Sequence, residues 1–411
     1  MNARKPLLTG IRVIDLSMGW AGPLCGRHLA DNGADVIKVE SCQHFDWWRG
    51  WEATKAFVDD HGQEKAASFV MVNRNKRGIT LDLEHPRGKE LLKRLVRTAD
   101  AVVENYSGGV LPKLGLDYAA LREVKPDLVM MSMPAFGARG PWRSYRAYGS
   151  TVEHASGLPH LHGEGDWPPT MLHVAYGDPV AGLNAAAALL IALRHRKRTG
   201  EGQFLDLSQS ECLFPLAAHG ILEQSITGQA PARNGNRWPH AAPNGSFRCA
   251  GADEWLTLQV HDEAQWLRLR ELVGDALGGF GDLADRVARR AELDAAVTAW
   301  TRERTPDAAM QALQAVGVPA ALQRPAIHLT RDAHLQARDV WPLLQRAHVG
   351  EVPHPRPPYR DDPAGYGIER PSPTLGEHTR EVLHELLQLD ESELDELEAL
   401  QVIGTRPIIA G

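Results

Sequence analysis

The sequence predicts an α/β protein, with a large domain built on a parallel sheet and a smaller α+β domain after it. Two observations carry this: strand-like runs alternate with helical periodicity through the first two hundred residues, and the pattern changes character near residue 225. Residues 13–16 (Val-Ile-Asp-Leu) read as the first strand, followed by a loop over 17–22. Pro23 suits a first helical turn, and Gly33 stops that helix after Asp31. Residues 35–40 form the next strand and complete a βαβ unit. Its Gly-containing loop lies at the carboxyl end of the first strand, where open α/β sheets bind ligands.

A tryptophan-rich excursion follows (Trp47, Trp48, Trp51), and then strands are expected at 78–83, 101–104 and 127–133, with a helix over 86–98. A loop rich in Gly, Pro, His and Trp spans 134–177. Asp178-Pro179 opens the strongest helix of the chain, ending near Arg198 with Gly200 as its stop, and 203–208 is a strand again. The large domain is therefore placed at 1–210, completed by 376–411. The smaller one spans 225–320: a turn-rich stretch over 234–246, a strand at 255–260 and mostly helix over 263–315. Residues 321–375, rich in Pro, Asp and Arg, are expected to link the two, and helices over 379–387 and 391–400 close the chain.

Composition narrows the function. Of 411 residues, 43% are apolar and 24% charged, the profile of a globular chain with a full core. Acidic residues outnumber basic ones by 52 to 45, without blocks, so nothing suggests a nucleic-acid partner. The longest apolar run, residues 185–193, is under half a membrane span, so no membrane partner is expected. No signal-peptide core follows Met1, which makes the cytoplasm the expected address. Cys25, Cys42, Cys212 and Cys249 form no CxxC pair and read as reduced thiols.

The motifs divide unevenly. There is no Walker loop, HExxH or GxSxG, and Gly19-Trp20-Ala21-Gly22 lacks dinucleotide spacing. His154, His160, His162 and His173 fall close together, but no helix arrays them as ligands, so no metal is expected. Asp178 is the residue to watch. An aspartate before proline at a helix start is an ordinary cap. The same position would keep a carboxylate ionised and able to act as a nucleophile, with nearby amides to meet an oxyanion.

Beyond single residues, the chain carries an ordered series of motifs: residues 8–16 (Leu-Thr-Gly-Ile-Arg-Val-Ile-Asp-Leu), Ala21-Gly22-Pro23, Asn73-Arg74-Asn75-Lys76-Arg77 and Val103-Glu104-Asn105-Tyr106. Gly177-Asp178, Gly317-Val318-Pro319 and Leu375-Gly376-Glu377-His378 follow. In order and spacing this series closely resembles the class III CoA-transferases, the family of formyl-CoA and carnitine CoA-transferases. The resemblance implies a Rossmann-like large domain and an interlocked homodimer, with acyl-CoA and a carboxylic acid as substrates and no permanently bound cofactor. It also implies that Asp178 attacks an acyl-CoA thioester to give an aspartyl–acyl anhydride and then an aspartyl-CoA thioester.

By the same resemblance, Trp20 and Ala21 lie near the thioester of coenzyme A. Leu81, Asp82, Leu83 and Glu84, with Asn105, Tyr106 and Ser107, flank the nucleotide. Lys113 and Arg146 meet phosphates, and Tyr148 stands beside Asp178.

Departures from the family pattern are informative. Trp20 replaces the glutamine of formyl-CoA transferases, and their glycine-rich small-domain loop has no counterpart, which points away from formate and oxalate. Ser41 stands where a nucleotide-binding arginine is often found. Trp20 and the Trp47–Trp51 cluster fit either a bulky, less polar acyl group or a core or dimer-interface role. Related α-methylacyl-CoA racemases pair the aspartate with a histidine, and this chain has Tyr148 there, a poor base near neutrality. The alternatives are racemase chemistry, or CoA binding without turnover.

Overall fold

The computed structural model describes residues 6–51, 53–172, 175–359 and 367–409. They form two compact units, one of residues 1–159, 171–229 and 339–411, the other of 160–170 and 230–338.

The first unit is built on six strands: β1 (Arg12–Asp15), β2 (Asp35–Glu40), β3 (Arg77–Thr80), β4 (Ala101–Glu104), β5 (Val129–Ser132) and β6 (Gln203–Asp206). All pairings are parallel, in the order β3-β2-β1-β4-β5-β6. The chain leaves β1 toward one side of the sheet and returns at β4 on the other, which opens a crevice at their carboxyl ends.

Both sheet faces are covered, and this explains the near-continuous apolar runs of β2 and β4. On one face Ile14, Ile37, Val39 and Ile79 pack against Leu91, Leu92 and Leu95 of the Pro86–Arg97 helix. The same cluster takes in Val382 and Leu383 of the Thr379–Leu387 helix and Leu394 and Leu397 of the Glu391–Ala399 helix. On the other face Val13, Val36 and Val103 meet Cys25 and Leu29 of the Ala21–Asp31 helix and Ala181, Ala185 and Leu189 of the long Gly177–Thr199 helix. Small residues let those two helices approach closely. A Cβ at Gly182 would lie 2.7 Å from the Ala21 carbonyl oxygen.

The second unit folds on a three-stranded antiparallel sheet, β7 (Asn244–Arg248), β8 (Trp255–Gln259) and β9 (Ala320–Gln323). Phe247, Leu256 and Leu258 pack there on Trp266, Leu269, Leu293, Val297 and Leu313 of the helices between β8 and β9. The stretch expected to link domains over 321–375 is more structured than its composition suggests. It holds the end of β9, the short helix Ala333–Ala337 and a hairpin of β10 (Leu343–Arg346) and β11 (Gly350–Pro353). It is shared between the units at residues 338/339. Arg346 explains how the hairpin is anchored: it is buried and hydrogen-bonds the Ser372 carbonyl and the Glu64 carboxylate.

Candidate active site

Three backbone segments meet at the carboxyl ends of β1, β2 and β4, and buried polar groups hold each in place. The Asn105 side chain grips Met18 from both sides, its Oδ1 accepting from the Met18 N–H at 2.8 Å and its Nδ2 donating to the Met18 carbonyl at 2.7 Å. Glu104, the last residue of β4, accepts from the Tyr106 N–H at 2.8 Å and so fixes the turn that carries Asn105. Asp46 ties the next segment: its Oδ1 accepts from the N–H groups of Gly19 (2.9 Å) and Trp48 (3.0 Å). Its Oδ2 accepts from Lys38 Nζ at 3.0 Å, and Lys38 also donates to the Ser17 carbonyl.

Lys38 and Asp46 are fully buried. Burial alone would lower the Lys38 pKa, but Asp46, Asp15 and Glu40 around it hold it above its usual range, so it stays charged. Asp15 is likewise buried, and Lys76 at 2.7 Å with Lys38 keeps its carboxyl below the usual value. Removing one member of such a set would strand a charge in the interior, so the set fixes the loop's position firmly. Gly19 is needed here because its φ is +74° and a Cβ would stand 2.5 Å from the Trp47 ring.

The loop so held faces Asp178. The carboxylate does not cap the helix as its sequence position suggested: the boundary residue is Tyr176, without a side-chain cap, and Asp178 lies inside the first turn. Nor does the helix end set its charge. Burial pushes the carboxyl up to about 6, opposed by a hydrogen bond from the Ala21 backbone. Desolvation outweighs that one hydrogen bond, and the side chain lines a cavity. On the other side Gly149 leaves room that no other residue could, since a Cβ there would lie 1.6 Å from Asp178 Oδ2. Buried Glu153 accepts from the N–H groups of Leu172 (2.5 Å) and Tyr176 (3.2 Å), which ties the helix Gly149–Ala155 to the entry of the Asp178 helix.

Asp178 lines a cavity of 530 Å³ together with Trp20, Asn105, Tyr106, Ser107 and Tyr148. Trp47, Trp48 and Trp51 complete its aromatic wall. A second cavity, of 390 Å³, is lined by Leu81, Asp82, Leu83, Glu84 and Lys113, with Ser41 and His44. Met18 and Tyr106 line both cavities and join them. The expected site residues are thus brought into two neighbouring cavities, with two exceptions. Ala21 contributes its backbone to Asp178 rather than a wall, and Arg146 is exposed and lines neither cavity. A third, polar cleft lies at the amino ends of β2 and β3, where Arg77 pairs with Asp35 (2.7 Å) and Glu385 (2.6 Å) and leaves little for a ligand.

Gly149, Glu153, Lys38 and Asp46 were not singled out in the sequence. Lys38 is the one with a signal, a lysine in the middle of an apolar strand. Among the described residues, no group of three or more His, Cys, Asp or Glu side chains could hold a metal ion. His154 hydrogen-bonds the Ser150 carbonyl, and His173 lies outside the described residues. No described helix is long and apolar enough to cross a membrane.

Comparison with known proteins identifies the family. The model of CoA-transferase family III matches residues 8–379. The chain is 35% identical to a succinate–glutarate CoA-transferase of Agrobacterium fabrum, over 94% of this chain and 97% of that one. It is 33% identical to a succinyl-CoA–D-citramalate CoA-transferase of Chloroflexus aurantiacus, over 98% and 100% of the two chains. A crystal structure of a CAIB/BAIF family protein from Brucella suis superposes with a TM-score of 0.84 at 33% identity, covering 93% of this chain and all of the other. The chain therefore belongs to CoA-transferase family III, and is a class III CoA-transferase.

Proposed function

We propose that the protein moves CoA from an acyl-CoA thioester to a carboxylate, with Asp178 as the covalent carrier. The observation that carries this is the Asp178 carboxyl, desolvated to a pKa of about 6 in a 530 Å³ cavity and faced by the Ala21 amide. A pKa near 6 leaves the group mostly ionised at neutral pH and more basic than a solvated carboxylate, which suits a nucleophile.

An Asp178 oxygen attacks the thioester carbonyl; the C–S bond breaks, and thiolate leaves an aspartyl–acyl anhydride behind. The thiolate attacks the aspartyl carbonyl, the anhydride C–O bond breaks, and the donor acid leaves as its carboxylate. The acceptor carboxylate attacks the resulting aspartyl-CoA thioester, expels thiolate and forms a new anhydride. The thiolate then takes the new acyl group and frees Asp178. No water enters the balance. The Ala21 N–H that hydrogen-bonds the Asp178 carboxylate would stabilise the oxyanion formed on that oxygen when thiolate attacks the aspartyl carbonyl.

In this reading the second cavity takes the nucleotide end of CoA, with Leu81, Leu83 and Tyr106 against the base and Asp82, Glu84 and Ser107 beside it. Lys113 at the rim and exposed Arg146 are the cations assigned to phosphates, and the bridge at Met18 and Tyr106 carries the pantetheine arm. The strand order and the crevice between β1 and β4 support a Rossmann-like large domain. Exposed Leu216, Ile221, Leu222 and Ile226 on the Phe214–Thr227 helix support the homodimer.

The test is a donor–acceptor screen read by mass: acyl-CoA plus carboxylic acids should yield new acyl-CoA, and Asp178→Ala should abolish transfer while CoA still binds. Exchange of an α-proton with solvent, without transfer, would point to racemase chemistry instead.

A further inference from the structure

We infer that the acyl group exchanged at Asp178 is that of an aromatic monocarboxylic acid, an arylalkanoate or aryl-substituted acrylate, rather than a dicarboxylate. This rests on the transferase reading and names its substrate class.

Five rings build one continuous aromatic wall of the Asp178 cavity. Trp20 lies 5.3 Å from Trp48 between ring centroids, Trp48 5.9 Å from Trp47, and Trp47 4.5 Å from Trp51. Tyr148 closes the series edge-on, 5.7 Å from Trp47 and 6.0 Å from Trp51. Tilted and edge-to-face rings at these spacings offer another ring the same geometry they offer each other. They are also positioned by design of the backbone: Asp46 accepts from the N–H groups of both Gly19 and Trp48, so Trp20 and the Trp47–Trp48 turn hang from one buried carboxylate.

Charge points the same way. Among the described residues lining this cavity there is no Lys, Arg or His, and the one carboxylate is that of Asp178. A dicarboxylate of the kind the succinate–glutarate and D-citramalate relatives are named for would bring a second carboxylate into this space. That group would lose its hydration against indole rings and face Asp178 with no cation among the described lining residues of its own protomer to offset either cost. The raised Asp178 pKa shows that the cavity already penalises negative charge. An aryl group avoids the penalty and gains ring contacts.

The test uses identity exchange, in which each acyl-CoA is incubated with its own isotopically labelled acid, so that one acyl group is examined at a time. The pairs are 3-phenylpropionyl-CoA with 3-phenylpropionate, phenylacetyl-CoA with phenylacetate, succinyl-CoA with succinate and glutaryl-CoA with glutarate. The aryl pairs should exchange at least ~10-fold faster, in kcat/KM, than the dicarboxylate pairs. Equal or faster exchange by the dicarboxylates would overturn the inference and leave the transferase reading intact. No exchange with any pair would remove the transferase reading and this inference with it.

Trp51→Arg, at an exposed position of the wall, supplies the missing cation and should shift the ratio toward the dicarboxylates by ~10-fold or more. An unchanged ratio in a folded variant would overturn the assignment of these rings to the acyl group and leave Trp51 to an interface. The wild-type ratio decides the matter even if that variant fails to fold.

Discussion

The floor beneath Asp178 and the core of the 230–338 unit are held by opposite means. Under the site, Asp15, Lys38, Asp46 and Lys76 are all buried, and Arg49 joins Glu40 and Glu64 at 2.9 Å in a second buried set. In the smaller unit Phe247, Leu256, Leu258 and Trp266 do the equivalent work by apolar contact. Hydrophobic packing is roughly proportional to area and has no preferred direction. Buried ion pairs are costly to desolvate but fix direction. The chain places the directional kind where a loop must meet a carboxylate, and the non-directional kind where a core needs only to be filled.

The comparison can be broken first at Lys38. Lys38→Met leaves Asp46 buried without its ion pair and should cost about 3–5 kcal/mol, read as a lowered denaturant midpoint, together with loss of CoA transfer. A near-neutral effect would show that the buried charges are not what holds the loop. Leu256→Ala, at a fully buried position of β8, should cost about 3 kcal/mol by cavity formation. Hydrogen exchange should locate that loss in β7–β9 and spare β1–β6; loss spread evenly over both sheets would erase the contrast.

Gly149→Ala acts at the site, on Asp178 and the adjoining Ala175. Its Cβ would displace the Asp178 carboxylate, so kcat should fall about 10²-fold while the melting temperature changes little. Unchanged kcat would mean the carboxylate's present position is not the working one.

The smallest effect has the opposite sign. Because burial raises Asp178 to about 6 in the folded state against 3.8 otherwise, its ionised form opposes folding. The stability that the protonated group allows is fully present below about pH 4 and is lost as pH rises through 6. Asp178→Asn should therefore stabilise the protein by up to about 3 kcal/mol at pH 7, and the gain should shrink toward zero near pH 4. Transfer by the wild type should fall as pH drops below about 6. A destabilised Asp178→Asn at pH 7 would contradict the raised pKa.

Much of this was legible in the sequence where both faces of an element are buried. Residues 35–40 and 101–104 read as strands and are β2 and β4, and the Asp178 helix begins at Gly177, one residue earlier than expected. The helices Lys55–Asp59, Gly62–Lys65 and Ala67–Asn73 were hidden inside the tryptophan-rich excursion, because helices of four to seven residues are too short to show periodicity. The charge network was hidden for another reason. Lys38 pairs with Asp46 and Lys76 with Asp15, at separations no local pattern encodes. Asp178 itself was found, but its environment was not. A capping carboxylate and a desolvated one look alike until the cavity around Gly149 and Ala21 is seen.

The most direct measurement is the mass of the Asp178-bearing peptide after turnover is quenched with hydroxylamine. An acyl or CoA load on this side chain predicts an aspartyl hydroxamate at Asp178 that appears only when acyl-CoA is present. Continued CoA transfer with Asp178 unmodified, or with the hydroxamate on another carboxylate, would contradict it.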